Sequence, residues 1–168
     1  STERLFADLR RSPDALHQAL SVITDVTIRF ALDAIDAGAH GVFFATQLAS
    51  YRLLAVDEYE RFGKAYDLRV LAALAGKARL SMLHAHGDDI MFDLLADYPV
   101  EMINWHDRLT EPTLRDAASR FPGLLVGGLN EHGALAKGDL HAIEAEVRDA
   151  IAQTGGRRLM IGPGCVVP

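Results

Sequence analysis

Residues 79–105 read RLSMLHAHGDDIMFDLLADYPVEMINW, and this stretch decides the fold. Two apolar runs, at 79–84 and 101–105, flank a segment of helical spacing from about 89 to 96. Strands that are apolar throughout and separated by helices are typical of a parallel sheet covered on both faces. The stretch therefore predicts a strand–helix–strand unit of an α/β fold.

The same alternation continues on both sides of this unit. It predicts further strands at 41–45, 124–127 and 158–161, and helices at 12–38, 57–75, 111–120 and 139–154. Pro13 suits the first position of the first of these helices, and Asp139 is the predicted cap of the last. Two architectures fit this order, an open doubly wound sheet and part of a (β/α) barrel. Five strands are too few for an eight-stranded barrel, which needs at least roughly 200 residues. We expect 1–168 to form a single domain that is a fragment, or a subunit whose unpaired strand edges need a partner.

Composition restricts the class of protein. The chain has 168 residues, 49% of them hydrophobic, as in one ordinary globular domain. Its 17 basic and 23 acidic residues give a net charge of -6, which argues against a nucleic-acid or anionic-lipid surface. No apolar run approaches the roughly 20 residues of a membrane helix, and the N-terminus has no signal-peptide pattern. The single cysteine excludes an internal disulfide, and we expect a cytoplasmic protein.

Polar residues collect at the predicted carboxyl ends of the strands, where both architectures bind ligands. His84 and His86 lie two apart, so on a strand they face the same side about 6.6–6.8 Å apart and can share a metal ion. With the thiol of Cys165 they predict a three-ligand zinc site with an open fourth position. The alternative is that His86 orients a loop and Cys165 is a small buried apolar residue.

Other strand ends carry weaker signals. His106 and Asp107 fit a general acid/base pair, although a structural role is the favoured interpretation for a histidine in a solvated loop. Asp88 and Asp89 follow a glycine, where N-capping of a helix is a simpler interpretation than metal ligation. The pair Gly127–Gly128 would let a phosphate or carboxylate approach the backbone, or simply permit a turn.

Taken in order, the strand ends resemble the uroporphyrinogen decarboxylase superfamily. The segments that carry the resemblance are ALDAIDAGAHGVFFATQLAS, RLSMLHAHG, EMINWHDR, LLVGGLNE and RLMIGPGCVVP. The resemblance covers essentially the whole chain, as the C-terminal half to two-thirds of the barrel. It implies an α/β fold that is a partial (β/α) TIM-type barrel with about five parallel strands.

The resemblance implies two chemistries. One is uroporphyrinogen III decarboxylation in heme and porphyrin biosynthesis, by a carboxy-lyase. Gln47 stands where the decarboxylases have a turn serine, and Gly164 stands where they have a histidine. The chain also offers few cationic groups for the substrate carboxylates, which argues against this reaction.

The other chemistry is that of the zinc-dependent corrinoid methyltransferases, whose signature is His-x-Cys and a distant Cys. His84 and Cys165 match it, and His86 replaces the first cysteine with another good zinc ligand. The resemblance thus implies methyl transfer from a corrinoid-type donor, with a corrinoid protein as partner, to a small-molecule thiol; a tetrapyrrole is the alternative substrate. A third hypothesis is a non-catalytic half-barrel that binds a metal, a corrinoid or a partner subunit.

On this resemblance, the remaining strand-end residues take supporting roles. Asp107 and Glu131 are expected around the metal or as acid/base groups. The residues expected to contact substrate are Gln47, Asn104, His106 and Asn130.

Overall fold

The computed structural model describes residues 2–168. Contacts within the chain group into two compact units. One unit runs up to Val42 and includes Leu54–Arg79, and the other combines Phe43–Leu53 with Leu80–Pro168. The single domain expected from the sequence stays a prediction.

The first unit is helical. Its helices are α1 (Thr2–Arg11), α2 (Pro13–Asp36), α3 (Val56–Tyr59) and α4 (Ala65–Leu74), with a π-helical segment, Glu60–Lys64, between the last two. Helix α2 begins at Pro13 as predicted, because the fixed φ of proline suits the first helical position. Arg69 of α4 pairs with Asp25 of α2 at 2.8 Å, and the ring of His17 stacks on Phe62 at 4.4 Å. Helix α1 was not predicted.

The second unit is a parallel sheet with its connecting helices. The strands are β1 (Phe43–Thr46), β2 (Met82–Ala85), β3 (Met102–Trp105), β4 (Leu124–Leu129) and β5 (Leu159–Pro163). The helices are α5 (Phe92–Ala96), α6 (Leu114–Arg120), α7 (Ala134–Lys137) and α8 (Leu140–Thr154). Short α7 was not predicted, whereas α8 begins after the predicted cap, Asp139, whose side chain accepts from the N–H of Ala142.

Strand order decides between the two predicted architectures. Among residues 2–168 the five strands are all parallel and follow one another as β1-β2-β3-β4-β5. A doubly wound sheet reverses its strand order at a switch point, and this sheet does not. The prediction of an α/β fold with five parallel strands, arranged as in part of a (β/α) barrel, is confirmed.

The register of β2 and β3 positions the polar residues that follow them. His84 lies opposite Asn104, and Ala85 lies opposite Trp105. Trp105 is completely buried, and its indole N–H donates to the carbonyl of Pro112 at 3.0 Å. The residues that follow the two strands therefore lie at the same edge of a well-packed sheet.

Two helix starts are predicted too early. Helix α6 begins at Leu114, after its cap Thr113, rather than at 111. Helix α5 begins at Phe92 rather than near 89, and neither Asp88 nor Asp89 caps it. Within the described residues, the side chain of Asp88 pairs with Arg52 at 3.1 Å, and Asp89 has a φ of 50°. The chain is drawn away from helix geometry here because Ile90 forms an antiparallel bridge with Ser50.

No helix within residues 2–168 is both long enough and apolar enough to cross a membrane.

Candidate metal centre at the strand ends

Four potential metal donors meet at the carboxyl edge of the sheet. They are His84 of β2, His86 just after it, His106 just after β3, and Cys165 after β5. One ligand atom from each lies within 4.8 Å of every other. This donor cluster unites all three residues that the sequence predicts as zinc ligands and adds a fourth.

The thiol of Cys165 faces the histidine pair. Its Sγ lies 3.6 Å from Nε2 of His84 and 3.7 Å from Nδ1 of His86. In a tetrahedral zinc site, a nitrogen and a sulfur ligand are about 3.6 Å apart, from the usual Zn–N and Zn–S lengths. Imidazole nitrogens and a thiolate are also the ligand types that zinc prefers, so the residues present fit this metal.

The ring of His84 is oriented by a buried amide. Both N–H bonds of Asn104 are directed at carbonyls, of Val126 at 2.8 Å and of Pro163 at 3.1 Å. Its Oδ1 therefore faces Nδ1 of His84 at 2.6 Å, and that nitrogen must be the donor. This fixes the tautomer that leaves the Nε2 lone pair free toward Cys165.

Burial also keeps the ring of His84 neutral. Burial is the main cause that lowers the pKa of His84, and its hydrogen bond to Asn104 opposes that effect. The neighbouring rings of His106 and His86 lower the pKa further. A neutral imidazole is the form that binds a metal ion.

The ring of His106 has a carboxylate behind it. Nδ1 of His106 makes a short hydrogen bond to Oε1 of Glu131. Glu131 is completely buried. Among residues 2–168, Oε2 of Glu131 has no hydrogen-bond partner. The other nitrogen of His106, Nε2, lies 3.4 Å from Nδ1 of His86 in the donor cluster.

The predicted catalytic residue Asp107 has partners of its own. Its carboxylate accepts from the N–H of Gly128 at 3.0 and 3.1 Å and lies 3.8 Å from Arg108. Burial raises the pKa of Asp107 to about 6, and the Gly128 N–H and the Arg108 charge oppose that rise. The structure thus gives His106 and Asp107 different partners rather than each other.

A cleft of about 540 Å³ opens beside the donor cluster. Of the residues predicted to contact substrate, Gln47 and Asn104 line it. The side chain of Asn130 instead accepts from the N–H of His132 at 3.0 Å. Most of the wall is apolar, formed by Phe43, Ala45, Met82, Val126, Pro163 and Val166.

Sequence reasoning missed His106 as a member of the donor cluster, although a signal was present. Residues 82–86 read MLHAH and residues 102–106 read MINWH. The register aligns Met82 with Met102, so the same offset of twenty runs through both strands. Extended past the strand ends, it sets His86 opposite His106, which only knowledge of the register reveals.

Comparison with known proteins identifies one family and, within it, relatives with two different activities. The family model described as Uroporphyrinogen decarboxylase (URO-D) matches residues 1–168. The chain is 26% identical to the methylcobamide:CoM methyltransferase MtaA of Methanosarcina barkeri over 157 residues, 92% of this chain and 44% of that protein. It is 30% identical to the uroporphyrinogen decarboxylase of Nocardia farcinica (strain IFM 10152) over 167 residues, 95% of this chain and 44% of that protein.

A solved structure matches as well. The methyltransferase from Methanosarcina mazei aligns with all of this chain and 49% of its own, with a TM-score of 0.85 and 23% sequence identity. At that identity the likeness concerns the fold. The chain spans less than half the length of the relatives it matches.

Proposed function

The chain belongs to the uroporphyrinogen decarboxylase (URO-D) family, and on that premise we propose that it carries the zinc site of a methyltransferase. The proposed enzyme moves a methyl group from a corrinoid-type donor to a thiol. The observation that supports this is the approach of Cys165 to His84 and His86 within 3.7 Å. These three residues would hold the metal.

A zinc ion bound there would supply Lewis acidity, which lowers the pKa of a substrate thiol toward neutrality. The residues of the chain prepare the site for it. Asn104 holds His84 in the tautomer that presents Nε2, and burial keeps that ring neutral. Strand β5 runs through Pro163, and the bend that begins at Gly164 places the Cys165 thiol beside both rings.

The cleft supports a substrate with an apolar part. Its wall is largely aliphatic and aromatic, and Gln47 offers an amide for a polar group. The name of the M. barkeri relative states a methylcobamide donor and CoM as acceptor, which is the chemistry proposed here for this chain. A corrinoid protein would then be a partner, in the cytoplasm.

Uroporphyrinogen decarboxylation is the second candidate, favoured by the 30% identity to the N. farcinica decarboxylase. Carboxylate-bearing substrates need cationic groups around them. Among the described residues, neither arginine nor lysine lines the cleft at the donor cluster. This lining supports the methyltransferase over the decarboxylase.

The edges of the sheet support association. Within residues 2–168, β1 and β5 each pair on one side only. An unpaired strand edge presents free N–H and C=O groups to another chain. Self-association, or pairing with a further segment of the barrel, would cover them.

The test is the metal content of the purified chain, measured by elemental mass spectrometry. We expect about one zinc ion per chain in the wild type, from the three-ligand site. His84→Ala and Cys165→Ala should lose it, and His132→Ala, an exposed histidine outside the donor cluster, should keep it. A folded wild type that takes up no supplied zinc would overturn the proposal.

With zinc shown, the reaction is tested directly. The loaded chain is incubated with methylcobalamin and coenzyme M, and loss of the methyl–cobalt absorption is followed. Methyl transfer in the wild type and none in Cys165→Ala is expected. Consumption of uroporphyrinogen III instead would favour the decarboxylase.

A further inference from the structure

We propose that His106 is a fourth metal donor of this site, through Nε2, and that Glu131 positions its ring. The inference rests on the metal site of the proposed function and concerns two residues to which the sequence gave other roles. It replaces the open fourth position of the three-ligand prediction with a protein side chain.

The distances support a donor rather than a bystander. Two nitrogen ligands of a tetrahedral zinc ion are about 3.3 Å apart. Nε2 of His106 lies 3.4 Å from Nδ1 of His86. The Cys165 Sγ distances to His84 and His86, 3.6 and 3.7 Å, match the expected nitrogen–sulfur edge as well. Three edges of the donor cluster thus have the lengths that one central zinc ion would impose.

The carboxyl of Glu131 explains why the ring points this way. Its Oε1 bonds Nδ1 of His106, which leaves Nε2 as the nitrogen that faces the donor cluster. A metal-binding histidine commonly gives its second N–H to a carboxylate, which fixes the tautomer and makes the ring a stronger ligand. Glu131 is completely buried and does not line the cleft.

Charge balance points to the same role. A buried carboxylate is unfavourable unless a cation lies close to it. Within the described part of the chain, Oε1 of Glu131 contacts Nδ1 of His106, and Oε2 has no hydrogen-bond partner. A metal ion on Nε2 of His106 would bring a positive charge close to this carboxyl group.

Gly164 brings the thiol-bearing loop against this pair. A Cβ at that position would lie 2.8 Å from Cα of His106 and 3.0 Å from Oε2 of Glu131. The first of these distances, to backbone, is shorter than real Cβ atoms essentially ever show. The missing side chain thus allows Cys165 and His106 to reach the same point.

The consequence is a site with three imidazoles and one thiolate. Four protein donors complete a tetrahedral zinc site, so a thiol substrate must either displace one of them or enter as a fifth ligand. His106, which lies just after β3, would occupy the position that the three-ligand prediction left for substrate.

X-ray absorption spectroscopy of the zinc-loaded wild-type chain tests this without any variant. We expect a first shell of three imidazole nitrogens and one sulfur, with the outer-ring scattering of three imidazoles. Two imidazoles, one sulfur and a water oxygen would overturn the role of His106 while leaving the proposed function intact. A wild type without metal would overturn both.

Cobalt(II) titration of variants provides the second readout, by absorption in the visible range. In His106→Asn we expect cobalt affinity to fall and the intense tetrahedral bands to weaken, because water replaces the ring. Glu131→Gln should keep the bands and lose cobalt affinity about 10- to 100-fold, as is usual when a residue that hydrogen-bonds a metal ligand is replaced. His132→Asn is the matched control, and circular dichroism checks that each variant folds. Wild-type affinity and spectrum in His106→Asn would overturn the inference.

Discussion

Two buried histidines of this sheet have the same task and different supports. His84 leans on the amide of Asn104, whose own N–H groups are held by two backbone carbonyls. His106 leans on the carboxyl of Glu131, one oxygen of which has no hydrogen-bond partner among residues 2–168. The polar groups of the Asn104 side chain find partners within the protein, whereas Glu131 needs a nearby cation to balance its buried carboxyl group. We infer that Asn104 also stabilises the metal-free fold, whereas Glu131 serves the metal site alone.

The largest expected effect comes from removing the ion that both histidines serve. Zinc at a thousand times its Kd stabilises a folded chain by about 4 kcal/mol, which for this size raises Tm by roughly 8–16 °C. A chelator should reverse that rise, as measured by calorimetry. His84→Ala should show no zinc-dependent rise at all, whereas His132→Ala should behave as the wild type. An equal rise in His84→Ala would contradict the metal site.

The next effect sharpens the comparison by removing the neutral support. Asn104→Leu leaves the Nδ1 donor of His84 and two carbonyls without partners, at about 1–3 kcal/mol for each buried group. The metal-free chain should lose about 3 kcal/mol of unfolding free energy, measured by urea denaturation. Asn130→Leu is the control, with a loss below about 1 kcal/mol, because its side chain makes a single loop contact. Equal losses in the two variants would remove the structural role assigned to Asn104.

A smaller effect is expected where the β5 loop meets His106. Gly164→Ala forces a Cβ to within 2.8 Å of the His106 backbone and should destabilise the chain by about 2 kcal/mol, as overpacking does. Zinc affinity should fall with it. In the matched control, Gly162→Ala, the new Cβ lies 3.4 Å from a flexible Val126 methyl. Isothermal titration with zinc would show no difference between the two variants if the close approach at Gly164 were unimportant.

The smallest effect contrasts these buried pairs with an exposed one. The Arg108 guanidinium, and then Gln153, lower the pKa of Asp149, so the pair stabilises the fold fully above the ordinary pKa of Asp and loses that effect as pH falls through the lowered value. Because the Asp149 side chain is 52% exposed, solvent screening limits the gain to about 0.5 kcal/mol. Asp149→Asn should lose that amount at pH 7, and its difference in unfolding free energy from the wild type should shrink as pH falls below the ordinary pKa of Asp. A difference that grows in acid would contradict this assignment.

The element order could be predicted from sequence because apolar strands and capped helices leave local signals. Pro13 and Asp139 mark the starts of two helices correctly. The start of α5 was predicted too early, because a bridge between Ser50 and Ile90 has no local signature. The π-helical segment Glu60–Lys64 lies within the helix predicted at 57–75, and the helical spacing of apolar residues does not distinguish it from an α-helix.

The candidate site was predictable where its residues leave a local signal in the sequence. His84 and His86 are recognised by their spacing of two, and Cys165 is the single cysteine. The place of His106 depends on how β2 and β3 align, and that of Glu131 on a carboxyl turned inward beneath it. Both depend on relations between strands, which hydrophobic periodicity does not contain.

Asn104 also bears on the order of folding events. From β3 its side chain reaches His84 of β2, the carbonyl of Val126 in β4 and that of Pro163 in β5, across 20 to 59 positions of chain. Contacts of such separation form late, after the loops between them have closed. The thiol arrives with β5, so zinc added during refolding should be captured only in the final phase. The rate of metal capture would then serve as a clock for completion of the sheet.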